Sequence, residues 1–126
     1  NHPHVIQPFQ WVNNKPVFYA MGNLISTQLN QENLVGLCAG LDITKKEDGS
    51  IVIDNVKADL MYTTMEGTYP ALRYNVQVHP MKNVSDETLQ AQQCNKDYTT
   101  VNELYEASKA IVTSLDSNIT IGGIFE

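Results

Sequence analysis

Leu34-Val35-Gly36-Leu37-Cys38-Ala39-Gly40-Leu41-Asp42-Ile43-Thr44-Lys45 is the stretch whose period decides the fold. Val35, Leu37, Ala39, Leu41 and Ile43 recur at every second residue, the period of a strand with one apolar face. Gly36, Cys38 and Gly40 take the other face, and side chains this small imply that something approaches that side closely. Lys46-Glu47-Asp48-Gly49-Ser50 closes a hairpin, with Gly49 able to supply a positive φ. Ile51 to Thr64 is the partner strand. Its apolar residues change parity, from Ile51 and Ile53 to Val56, Ala58, Leu60 and Tyr62. Such a slip predicts a β-bulge near Asp54-Asn55.

Towards the C-terminus, Met65 to Ala71 reads as a turn containing Gly67 and Pro70. Leu72, Tyr74, Val76 and Val78 alternate with polar residues and predict a half-buried strand that Pro80 stops. The period then changes. Ser85-Asp86-Glu87 marks a helix start, and Asp86 to Gln93 is expected as a short helix. Thr100-Val101-Asn102-Glu103 fits a capping box, which opens a helix with apolar positions Val101, Leu104, Ile111, Val112 and Leu115. Ser117-Asn118 breaks it, and Ile119 to Phe125 is either a last strand or a docking tail.

Towards the N-terminus, Pro3 and Pro8 bias the chain to an extended path. Phe9 to Val12 and Pro16 to Met21 read as two strands around an Asn13-Asn14-Lys15 turn, since asparagine tolerates left-handed backbone. Gly22-Asn23 ends this unit, and the polar residues 24–33 form a loop with room for one helical turn. Strands first and helices later predict an α+β fold, mainly antiparallel β-sheet with a C-terminal helix. One domain is expected over 1–126, β-rich over 1–80 and helical over 81–126.

A chain of 126 residues is long enough for one core. Its net charge of −6 argues against nucleic-acid partners and anionic membrane surfaces, because no basic patch offsets the acidic total. No apolar run approaches the ~18 residues of a bilayer span. Cys38 and Cys94 lack metal-type spacing. Two buried thiols is one reading; a disulfide is the other, open only in an oxidising compartment. Asp42 and Asp59 are expected to be structural and able to face solvent. His79, before Pro80, is expected to be exposed.

The chemistry-bearing candidates are His2 and His4. In an extended segment, residues two apart face the same way, so both imidazoles can reach one metal or two neighbouring ones. Paired metal ions about 3.5–4 Å apart can clamp a phosphate or activate water. The competing reading is two solvated histidines near a frayed end or a tag remnant. No Gly-x-Ser-x-Gly elbow surrounds any serine.

A longer string bears on that choice. His2-Pro3-His4-Val5-Ile6-Gln7-Pro8, then Trp11, then Asn14-Lys15-Pro16-Val17-Phe18-Tyr19-Ala20-Met21-Gly22-Asn23-Leu24, resembles the C-terminal end of the capsule-synthesis CapA family. That family is associated with poly-gamma-glutamate capsule production and is similar to the calcineurin-like metallophosphoesterases. Its members carry Gly-x-His-Pro-His-Val-x-Gln-Pro, a hairpin tipped by Asn-Gly-Lys-Pro, and Tyr-Ser-Leu-Gly-Asn-Phe. The resemblance is strong over about the first 24 residues and extends in layout to the strand pair from Leu34 to Thr64. The helix after Thr100 matches no motif of the family.

The resemblance implies that His2 and His4 are metal ligands and that Asn23 belongs to a Gly-Asn step of unassigned role. It implies divalent ions in the full-length protein, held also by upstream Asp-x-His, Gly-Asp-x-x-Asp and Gly-Asn-His motifs that this sequence lacks. The expectation is a C-terminal fragment, inactive alone and without tightly bound metal. Its first partner would be the missing part of the same domain. Capsule-synthesis membrane proteins and a second copy are further expected partners, at the extracellular face of a bacterial envelope. From a different class, the competing reading is a non-catalytic accessory domain whose strand surface or C-terminal helix packs on another chain.

Overall fold

The long hairpin read from the sequence is the centre of the molecule. In the computed structural model, which describes residues 2–125, β3 (Val35–Lys45) and β4 (Ile51–Glu66) pair antiparallel over nearly their full lengths. β5 (Tyr74–Pro80) continues the sheet antiparallel to the far half of β4. β1 (Phe9–Val12) and β2 (Lys15–Phe18) form a separate hairpin. Two helices follow, α1 (Asp86–Gln90) and α2 (Val101–Val112), and the two-residue β6 (Thr120–Ile121) returns to pair parallel with β4. The fold is α+β and mainly antiparallel.

The predicted bulge is present. Gly40 opposes Lys57 and Asp42 opposes Asp54, so Asn55 and Val56 together face Leu41. Asn55 takes a φ of 50°, and its carboxamide donates to Asp42 across the hairpin. This extra residue absorbs the parity slip. It keeps Ile53 opposite Ile43 on the face that, closer in, carries Val35, Leu37, Leu60 and Tyr62. That row is buried at its inner end, where Val35, Leu60 and Tyr62 are almost fully covered. It runs out into solvent at Leu41, Ile43 and Ile51.

Local chemistry explains the other elements. Asn13 and Asn14 both take positive φ, 50° and 60°, which gives the two-residue turn of the β1–β2 hairpin its twist. Phe9 is fully buried, with Trp11 edge-on at 5.9 Å and Phe18 at 5.0 Å between ring centroids. Burying such a ring stabilises by about 1.5–3 kcal/mol. The Trp11 indole donates to the Asn118 carbonyl, fastening this hairpin to the segment after α2. Thr100 and Glu103 complete the predicted capping box, and Asp86 of α1 accepts from the Val101 amide. Ser85 caps α1. Leu104 and Val112 of α2 share the core with β3 and β4.

Several expectations shift. β2 ends at Phe18, not Met21, because the ladder is interrupted opposite Pro8, which has no N–H; Tyr19 to Met21 keep the hairpin's register against residues 6–8. The helices end earlier, at Gln90 and Val112, and Leu115 is exposed. Leu72 lies outside β5 and is 83% exposed, so its place in the alternating pattern carries no burial. Pro80 closes β5 from within, paired with Met61. His79 is only partly exposed, with Nε2 3.0 Å from the Thr64 hydroxyl on the neighbouring strand. Asp59 is 3% exposed rather than solvent-facing. Its carboxylate accepts the backbone amides of Ile124 and Phe125, and so anchors the chain end. Residues 119–125 are thus both a short strand and a docked tail. Cys38 and Cys94 are free thiols. Among the described residues, no helix is long and apolar enough to cross a membrane.

Tyr62, 1% exposed, donates a long hydrogen bond to Gln31. Burial pushes its phenol up to about 12. The folded state therefore holds this proton more tightly than the unfolded chain does. Stability tied to Tyr62 is complete below its unfolded pKa of about 10 and is lost as pH rises towards 12. Urea titrations across that window should show wild-type stability falling and the fall reduced in Tyr62→Phe.

Candidate functional site

The candidate site is built where the chain start meets the beginning of β3. Gly22 makes a single antiparallel bridge with Gly36, and the Leu37 amide donates to the Met21 carbonyl at 2.8 Å. Both glycines are required by contact. A Cβ on Gly36 would lie 2.3 Å from the Asn23 carbonyl oxygen. One on Gly22, at φ +68°, would lie 2.5 Å from the Val35 carbonyl oxygen. The close approach expected from the small-residue face of β3 is therefore made by the Gly22-Asn23 backbone. Further along the same face, Gly40 receives Ile124 of the tail.

This docking places Asn23 beneath His4. The Asn23 carboxamide oxygen lies 2.8 Å from His4 Nδ1. Its nitrogen donates to the Asn33 backbone carbonyl at 3.1 Å and to Gln28 Oε1 at 2.8 Å. Asn33 in turn donates from its side chain to the His4 carbonyl at 3.1 Å. His4, Asn23 and Asn33 so form a closed ring of hydrogen bonds around a residue whose φ is 58°. Left-handed backbone is uncommon outside glycine and costs about 1–2 kcal/mol; the ring offsets that.

The two histidines are not arranged as an extended segment would place them. Residues 2 and 3 lie in a turn and His4 is left-handed, so the every-second-residue argument does not apply. Both rings are exposed. His4 is held by Asn23, and its Nε2 makes no hydrogen bond among the described residues. Imidazole nitrogen suits zinc, copper, iron or nickel. Two imidazoles are a partial donor set, however, and among the described residues no three His, Cys, Asp or Glu side chains come together to hold an ion.

Sequence reasoning located His4 and Asn23 but not their contact, which spans 19 residues. It missed Asn33, whose only signal is its position one residue before Leu34. A mostly apolar cavity of about 240 Å³ lies next door, between Ile6, Val35 and the Leu104, Ser108 and Ile111 face of α2. Glu32 and Asp97 are the acidic side chains at its lining, and no histidine or cysteine lines it among the described residues.

The architecture defines an α+β sheet protein with an exposed, hydrogen-bonded histidine at its edge. The family model described as "Bacterial capsule synthesis protein PGA_cap" matches residues 1–28, which include His2, His4 and Asn23. No curated protein and no solved structure matches the chain.

Gly36→Ala tests whether the site depends on the close approach. Overpacking against backbone should lower unfolding free energy by about 1–3 kcal/mol. It should also shift the His4 ring resonances in NMR spectra.

Proposed function

We propose that the chain is the C-terminal portion of a bacterial protein of poly-gamma-glutamate capsule synthesis, and that it forms one wall of a two-metal, phosphoesterase-like site. The observation that carries this reading is that the segment matched by the capsule-synthesis family model is the same segment that presents a hydrogen-bonded histidine to solvent. In this reading His2 and His4 are ligands, and the carboxylate and further imidazole ligands come from the rest of the domain. Bound divalent ions would supply Lewis acidity and a water of lowered pKa. The chain's own part is to hold His4 at a set angle through Asn23 and to keep that angle by anchoring Asn23 on Gly36. The 126-residue chain alone then lacks hydrolytic activity. The site would work at the extracellular face of the envelope, beside capsule-synthesis membrane proteins.

The accessory-domain reading draws on a different observation. Leu41, Ile43 and Ile51, which are 39%, 67% and 56% exposed, make an apolar strip at the free end of the β3–β4 hairpin. Such a strip is suited to packing on another chain.

One measurement tests the incomplete site, and a second separates the two readings. Elemental analysis of the isolated chain should find less than stoichiometric metal, and tight binding of two ions would contradict the incomplete site. In cells making the full-length protein, His4→Ala should abolish polymer production while Ile43→Ser leaves it near wild type. The reverse result supports the accessory role.

A further inference from the structure

We infer that Asn23 is a positioning residue that locks His4 in the tautomer with its proton on Nδ1, leaving the Nε2 lone pair as the outward donor. This deepens the metal-ligand reading of His4 and rests on that reading for its purpose, although the tautomer itself does not depend on it.

The deduction starts from the one partner in the network whose role cannot change. The Asn33 backbone carbonyl has no proton, so it can only accept. The Asn23 atom 3.1 Å away must therefore be the amide nitrogen. That fixes the orientation of the whole carboxamide and makes the atom facing His4 its oxygen, which also can only accept. A 2.8 Å contact between an acceptor oxygen and Nδ1 requires the proton to sit on Nδ1. In a neutral imidazole the other nitrogen is then the bare one.

The backbone enforces the same outcome. Asn23 cannot drift from His4 without leaving Gly36, against which its carbonyl is seated. His4 cannot swing away without breaking the Asn33 bond to its own carbonyl. Gln28 takes the second proton of the Asn23 amide. A ring held this way by its inner nitrogen is what a ligating histidine requires, since ligand basicity and ring angle are set by the hydrogen bond on the nitrogen that does not bind. The Gly-Asn step acquires a physical role: the glycine permits the approach and the asparagine uses it.

The experiment is a long-range ¹H–¹⁵N correlation on the ¹⁵N-histidine-labelled chain at about pH 8.5, roughly two units above the ordinary imidazole pKa. His4→Gln assigns the signals. His4 should show a protonated, pyrrole-type Nδ1 and a bare, pyridine-type Nε2. Asn23→Ala should lose that pattern in favour of averaged tautomers, and Asn23→Asp, which keeps an acceptor oxygen, should retain it. His79 reports in each spectrum that the sheet is folded. A proton on Nε2 in the wild type overturns the assignment, as does an unchanged pattern in folded Asn23→Ala. If Asn23→Ala does not fold, the wild-type and Asn23→Asp spectra still decide. Adding Zn²⁺ separates the two ideas. Movement of the His4 Nε2 signal, weakened about 10–100-fold by Asn23→Ala, supports positioning of a ligand. A signal unmoved even by a large excess of Zn²⁺, where a partial donor set still binds weakly, counts against the metal reading and leaves the tautomer standing.

Discussion

The approach of the Asn23 carbonyl to the bare Cα of Gly36 is the contact on which the N-terminal half depends. The β1–β2 hairpin has only four residues in each strand and shares no strand ladder with the main sheet. A two-stranded hairpin is marginal in water by itself. It is made part of the protein by the packing of Phe9, by the Trp11 bond to Asn118, and by the single bridge at Gly22 and Gly36. Only the last of these also sets the geometry of a candidate functional side chain. Stability and site are therefore coupled through a position that has no side chain.

The C-terminal half is tied in by an opposite device, a buried charge-bearing group. Asp59 sits in β4, where a carboxylate would be costly unless paired. Two consecutive tail amides satisfy it. The parallel pairing of β6 with β4 brings those amides there, and the direction follows from two chain reversals, one into β5 and one through the helical segment between β5 and β6. Residues 81–125 thus share the core of the β-rich part, contributing Leu89, Cys94, Leu104 and Val112 to it.

What could be read in the sequence follows the range of the interaction. The Asn13-Asn14 turn, the Thr100–Glu103 capping box and the bulge all depend on neighbours or on parity within one hairpin, and each was legible. Leu72 misled because period two describes which way side chains point and does not say whether anything covers them. The burial of Asp59 was not legible because its partners lie 65 and 66 residues away. At the candidate site the residue types were legible and their linkage was not. A left-handed turn at His4 replaces the extended path that Pro3 implied, and the hydrogen bonds that favour it come from Asn23 and Asn33.

The bulge at Asn55 and Val56 makes the outer end of the long hairpin a counting device. The inner rungs are held by the core, so their facing cannot change, whereas everything beyond the bulge keeps its facing only because the extra residue is taken up there. Pairing Asn55 into a regular ladder, with no residue lost, would set Ile53 opposite Thr44 and turn Ile51 and Ile53 to the side of Asp42 and Thr44, with composition untouched. The outward apolar strip is in that sense held in place by an unpaired residue. A single deletion between Lys57 and Asp54 would straighten the strand and leave that strip in place, whereas drawing the extra residue into the ladder would present a different surface from the same sequence.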